Sequence, residues 1–151
     1  MSTFFTPEGR PLDLTSVVGK IQAHRLNGLS IVQCHGVFDL LHPGHLAHLA
    51  EAKAQGDLLV VTITPDRYVN KGPGRPIFTQ EHRAFMLAGL EVVDFVAVTD
   101  SPTAVNAITL IRPDVYVKGP DYIDPNLDIS GNISIEEDLV SSLGGKIHFT
   151  Q

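Results

Sequence analysis

Leu58-Leu59-Val60-Val61-Thr62-Ile63 is apolar on both faces, with Thr62 as its single polar member. Six such residues are too few for a core helix and suit a strand buried on both sides, the kind found in the middle of a parallel sheet. Upstream, Leu29-Ser30-Ile31-Val32-Gln33-Cys34 reads as a second buried strand, and Pro43 to Gln55 as the helix that joins the two. Pro43 fits a first turn at no hydrogen-bond cost, Leu46, Leu49 and Ala50 share a face, and Gly56 closes the helix. Farther upstream, Leu14, Val17, Val18, Ile21 and Leu26 recur at helical spacing before Gly28, which predicts an additional N-terminal helix.

Downstream the alternation continues. Thr79 is placed to cap a helix ending near Gly89. Val93–Val98 reads as a strand, Thr103–Ile111 as a helix, and Val115–Val117 as a strand. Residues 119–133 read as an irregular surface segment. A helix over Glu136–Leu143 then leads to a last strand, Lys146–Phe149. Five strands alternating with helices predict a single-domain, Rossmann-like α/β fold: a parallel sheet covered by helices on both faces. In such a sheet ligands bind at the carboxyl ends of the strands, where strand order reverses.

The bulk numbers narrow the function. With 151 residues there is room for one core, and a net charge of −6 lacks the basic footprint of a nucleic-acid binder. The single cysteine, Cys34, excludes an internal disulfide and suits a reducing compartment. Residues 1–12 have no basic n-region and no apolar run is long enough to span a bilayer, so the expected location is the cytoplasm, without membrane contact.

Between the first strand and the Pro43 helix lies Gly36-Val37-Phe38-Asp39-Leu40-Leu41-His42-Pro43-Gly44-His45. Histidines three apart at a helix start share a side, close to first-turn amides and the positive end of the dipole. Gly36 and Gly44 are expected to let a phosphate reach the backbone. These residues point to a phosphate site with two imidazole donors. A zinc site on His45 and His48 is the competing reading, but neither a cysteine nor a third ligand stands at standard spacing, and no metal ligand is assigned.

The ten residues from Gly36 to His45 resemble the signature of the cytidylyltransferase-like nucleotidyltransferases. Lys71-Gly72-Pro73-Gly74-Arg75-Pro76-Ile77 is similar to the corresponding loop of the ADP-heptose synthase group. So are Glu81-His82-Arg83, the stretch Ala88–Asp94, and Arg112–Tyr122. The similarity covers roughly residues 12–149. It implies that His42, His45, Lys71 and Arg83 act in catalysis, and that Gly36, Val37, Phe38, Gly44, Lys118, Gly119 and Asp121 bind the nucleotide. Asp39 and Arg75 would then touch the acceptor. It also implies Mg²⁺ carried in with a nucleoside triphosphate, a phosphorylated sugar or polyol as second substrate, and by analogy a homodimer.

The implied reaction moves a nucleoside monophosphate from ATP, or CTP, onto a heptose-type sugar 1-phosphate and releases pyrophosphate. Cytidylyl transfer to glycerol 3-phosphate or another polyol phosphate is the alternative within the class. A catalytically inactive nucleotide-binding regulatory module is the alternative outside it. That last reading arises because family members carry a Ser/Thr-rich, phosphate-binding element after the last strand, whereas this sequence stops at Gln151. Either a longer protein, a trimmed chain or a true absence would account for it. His35 is a second departure, standing where many relatives have asparagine or a small residue.

Overall fold

A computed structural model describes residues 12–70, 72–122 and 131–151. Its five strands are β1 (Ile31–Gly36), β2 (Leu58–Ile63), β3 (Phe95–Val98), β4 (Val115–Lys118) and β5 (Lys146–Phe149). All pair in parallel, in the order β3-β2-β1-β4-β5. The helices are α1 (Leu14–Leu26), α2 (Pro43–Lys53), α3 (Gln80–Ala88), α4 (Val105–Ile111) and α5 (Asn132–Ser142). Chain direction across the sheet reverses between β1 and β4, so the crevice expected at the switch point lies between their carboxyl ends.

Period-two alternation in the central strands sends side chains to two separate apolar layers. Val32, Cys34, Leu59, Val61 and Ile63 pack with Leu49 and Ala52 of α2 and with Ala84 and Leu87 of α3. Ile31, Val60 and Ala97 pack with Val17 and Ile21 of α1 and with Ala107 and Ile111 of α4. Tyr116, Ile108 of α4 and Val140 of α5 continue this second layer. Burial on both faces is why β2 carries no amphipathic pattern.

Three aspartates close the amino edge of the sheet. Asp57 accepts from Ser30 N at 2.8 Å, Asp94 from Leu59 N at 2.8 Å and Asp114 from Ile31 N at 2.7 Å. This satisfies strand amides that would otherwise lack partners. The additional N-terminal helix is present, capped by Asp13, which accepts from Ser16 N at 3.0 Å. Its Arg25 donates to the carbonyls of Ile111 and Arg112, covering the carboxyl end of α4.

Several boundaries differ from the sequence reading. β1 runs two residues later, to Gly36, which brings His35 into the sheet opposite Thr62. β3 starts at Phe95 because Asp94 is turned to the β2 amide and Val93 packs in the preceding turn. α4 starts at Val105, with Thr103 Oγ1 accepting its amide at 3.4 Å. α5 begins at Asn132 behind Gly131 (φ 72°), four residues before the helix expected from Glu136. Residues 123–130 of the expected irregular segment lie outside the described residues. Among the described residues no helix is long and apolar enough to cross a membrane.

Candidate active site

The α2 start is built by its own histidines. His42 is the N-cap residue, in extended conformation, and its Nδ1 accepts from Gly44 N at 3.1 Å. His45 Nδ1 reaches back to accept from His42 N at 3.3 Å, completing a reciprocal capping box. The two rings stack with centroids 3.9 Å apart at 31°. A ring nitrogen that accepts carries no proton, so in the neutral rings the proton sits on Nε2. Both imidazoles therefore hold one nitrogen on the backbone and carry an N–H donor on the other.

This differs in one respect from the sequence expectation. The first-turn amides are not left open for an anion: Gly44 N is taken by His42 and His45 N by the His42 carbonyl at 2.9 Å. The side-chain donors at this helix start are ring N–H groups instead. Gly44 has a correspondingly different reason, since a Cβ there would lie 2.8 Å from His42 Cε1. At Gly36 a Cβ would lie 2.9 Å from the Phe38 ring. Phe38 itself holds a left-handed φ of 52°, rarely adopted by a bulky residue, and presents its ring edge to His45 at 5.6 Å. The glycines make room for the rings that shape the α2 entrance.

Asp39 organises the loop before α3. It is 6% exposed and accepts from Ile77 N at 2.8 Å, Phe78 N at 2.9 Å and Arg75 Nη1 at 3.2 Å. Burial works against its charge, but the amides of Phe78 and Ile77 and the Arg75 guanidinium outweigh it. They hold the carboxyl below its ordinary range. The Gly-Pro loop is thereby tied to the end of β1. Val37 supplies its carbonyl to Arg83 at 2.9 Å. Lys71 lies outside the described residues.

Arg83 is fully buried, and all three guanidinium nitrogens are bonded within the protein. Its partners are the carbonyls of Phe78, Val37 and Thr64 and the Asp66 carboxylate, at 2.8–3.1 Å. The structure thus places it as a tie between the loops after β1 and β2 and the start of α3, neither on an exposed helix face nor turned to solvent.

Across the switch point, Lys118 ends β4, half-exposed Gly119 follows, and exposed Asp121 lies in the short helical turn Pro120–Tyr122. Lys118 Nζ is 3.6 Å from Glu136 of α5. That partner was missed in the sequence, yet a signal was there. Ile133, Glu136 and Val140 share the buried stripe of α5, and a carboxylate on such a stripe needs a cation. His48, one turn beyond His45, bonds Thr150 Oγ1 at 2.8 Å, and Thr150 N reaches the Lys118 carbonyl at 2.9 Å. Burial first, then electrostatic repulsion involving His45 and Lys118, lowers the His48 pKa against a smaller opposing pull from Glu51. Among the described residues no three His, Cys, Asp or Glu side chains are grouped to hold a metal ion.

Comparison with known proteins agrees with this architecture. The bifunctional protein HldE of Syntrophotalea carbinolica is 38% identical over 129 residues, covering 84% of this chain and 25% of that protein. HldE of a Caulobacter species is 40% identical over 141 residues, covering 92% and 28%. The chain thus spans about a quarter of the length of these curated relatives. A solved lipopolysaccharide core biosynthesis protein from Thermoplasma volcanium superposes with a TM-score of 0.65 at 27% identity, over 81% of this chain and 94% of that one. The sequence pattern described as Cytidylyltransferase-like matches residues 33–138, from the middle of β1 into α5 and across the paired histidines. With its parallel sheet of order β3-β2-β1-β4-β5 and its His-Pro-Gly-His helix start, the chain belongs to the cytidylyltransferase-like family.

Proposed function

We propose that this nucleotidyltransferase moves an adenylyl group from ATP to a sugar 1-phosphate of the heptose type. The observation that carries the reading is the pair of stacked imidazoles at the start of α2, each tied to the backbone through Nδ1 and carrying its proton on Nε2. Two such N–H groups at the carboxyl edge of β1 suit the oxygens of a triphosphate. The acceptor phosphate oxygen attacks the α-phosphorus in line. As that bond forms, the bond from the α-phosphorus to the bridging oxygen breaks, and pyrophosphate leaves with the electron pair. The nucleophile is already anionic, so alignment and charge neutralisation supply the catalysis rather than a strong base.

His42 and His45 take the donor role. Lys118 and Lys71 add positive charge, and Gly36, Val37, Phe38, Gly44, Gly119 and Asp121 form the nucleotide side. Asp39 and Arg75 set the acceptor wall, and Arg83 acts by holding the loops in place. Mg²⁺ would accompany the nucleotide and supply neutralisation of phosphate charge. Support for a sugar phosphate comes from the Gly-Pro-Gly-Arg-Pro loop, from the HldE relatives and from the lipopolysaccharide core biosynthesis protein of like fold. We place the protein in the cytoplasm, where both substrates would be made.

The test is pyrophosphate formation from ATP and from CTP, each with heptose 1-phosphate, other sugar 1-phosphates and glycerol 3-phosphate. The reading expects ATP with heptose 1-phosphate to give the highest kcat/KM. Preference for CTP with glycerol 3-phosphate would replace it with the polyol alternative. Nucleotide binding without pyrophosphate from any pair would leave a regulatory module.

A further inference from the structure

His35 has no part in the roles above. It is the fifth residue of β1, in register with Thr62 of β2, partly exposed at the carboxyl edge of the sheet. Its alternation places it on the α1 and α4 side, opposite α2. The side chains behind it decide which ring nitrogen carries the proton. Thr62 Oγ1 lies 3.0 Å from Gln33 Nε2, 3.3 Å from the Cys34 carbonyl oxygen and 2.9 Å from His35 Nδ1. A carbonyl oxygen only accepts, and with the Thr62 hydroxyl proton on the Cys34 carbonyl, His35 Nδ1 is the donor to Thr62. Turning the Gln33 amide over would send that proton to Gln33 Oε1 and leave the same demand on the ring.

With Nδ1 protonated, Nε2 is a lone pair. Its neighbour is Thr64 Oγ1 at 3.4 Å, a long contact. Burial, and then the Lys118 charge, push the ring's pKa down to about 3, so it stays neutral at working pH. His42 and His45 have the opposite tautomer. The carboxyl edge of β1 therefore presents N–H donors on its α2 side and an acceptor nitrogen on the other. Ionised phosphate oxygens are repelled by a nitrogen lone pair, whereas a hydroxyl donates to it.

We propose that His35 Nε2 accepts a hydrogen bond from a sugar hydroxyl of a bound substrate and is a specificity-determining residue. The inference rests on the nucleotidyl-transfer reading for its choice of substrates. The hydroxyl belongs either to the ribose of the nucleotide or to the ring of the acceptor sugar.

Imidazole ¹⁵N spectra of the wild-type chain test this directly, with His35 assigned by its loss in His35→Phe. The expected spectrum shows protonated Nδ1 and unprotonated Nε2, with the Nε2 resonance moving upfield on substrate addition. A shift with ATP alone assigns the ribose, and a shift with heptose 1-phosphate alone assigns the acceptor. An Nε2-protonated ring, or an Nε2 signal that neither compound moves, overturns the proposal. In steady-state assays His35→Phe should raise KM about tenfold for the assigned substrate and leave the other KM unchanged. Equal KM changes for both, or none, also overturn it. Should wild-type protein form no pyrophosphate from any pair, the transfer reading fails by itself, and the spectra still decide the role of His35.

Discussion

When Nδ1 of His42 and of His45 accept backbone N–H groups at 3.1 and 3.3 Å, backbone geometry sets the direction of each remaining ring proton. His45→Ala removes one such donor, together with half of the capping box. Its turnover should fall by about 10² or more, the scale of losing one electrostatic donor. Near-normal turnover in the pyrophosphate assay would count against a catalytic role for this ring. Arg83 belongs to a different kind of prediction. Arg83→Met leaves the Asp66 carboxylate and three carbonyls without their buried partner, so it should lower stability by about 3–5 kcal/mol in urea denaturation. A loss of activity with stability unchanged would place Arg83 in contact with substrate instead. Its burial was hidden from the sequence, because a charged residue near a helix start reads as exposed unless its partners, here 5 to 46 positions away, are known.

α2 shows how an element can be read correctly for an incomplete reason. Pro43 and the apolar spacing placed the helix, but of Leu46, Leu49 and Ala50 only Leu49 is buried; Leu46 and Ala50 are exposed, and Ala52 takes the other core position. The spacing of His42 and His45 also put both rings together at the helix start, but a one-dimensional pattern could not show that these rings would cap their own helix. Gly44→Ala tests the packing reason now assigned to the glycine. Its Cβ would meet the His42 ring at 2.8 Å and displace the cap, while alanine favours the helix by about 1 kcal/mol. Turnover should drop at least tenfold with stability changed by less than about 1 kcal/mol, read by paired kinetics and urea titration. β2 and β5 were legible residue for residue, since a buried run and a strand entered from Gly144-Gly145 have unambiguous limits. The late end of β1 was not, because His35 and Gly36 look like a turn until Thr62 and Ile63 are set beside them.

At the scale of the whole molecule, an acidic chain brings Lys118 and the paired histidines to the carboxyl edge of a parallel sheet, and the strand order puts a switch point there. The same arrangement buries groups whose titration makes stability depend on pH. The folded-state pKa of His35 is pushed down to about 3, below the ordinary value of about 6.5 that the unfolded chain recovers. The unfolded state therefore binds the proton first, and stability present above pH ~6.5 is lost progressively toward pH ~3. Asp39, also lowered, adds a loss only below about pH 4. His35→Phe should flatten the upper part of the stability–pH curve, measured by urea midpoints, and leave the lower part in place. An unchanged upper slope would contradict the depressed imidazole.

The central claim, that the two α2 imidazoles hold the triphosphate, is tested most directly by a crystal structure with Mg²⁺ and a non-hydrolysable ATP analogue. The account predicts both Nε2 atoms within hydrogen-bond distance of phosphate oxygens, with Nδ1 still on the backbone. A triphosphate bound elsewhere, or rings turned from it, would contradict the account.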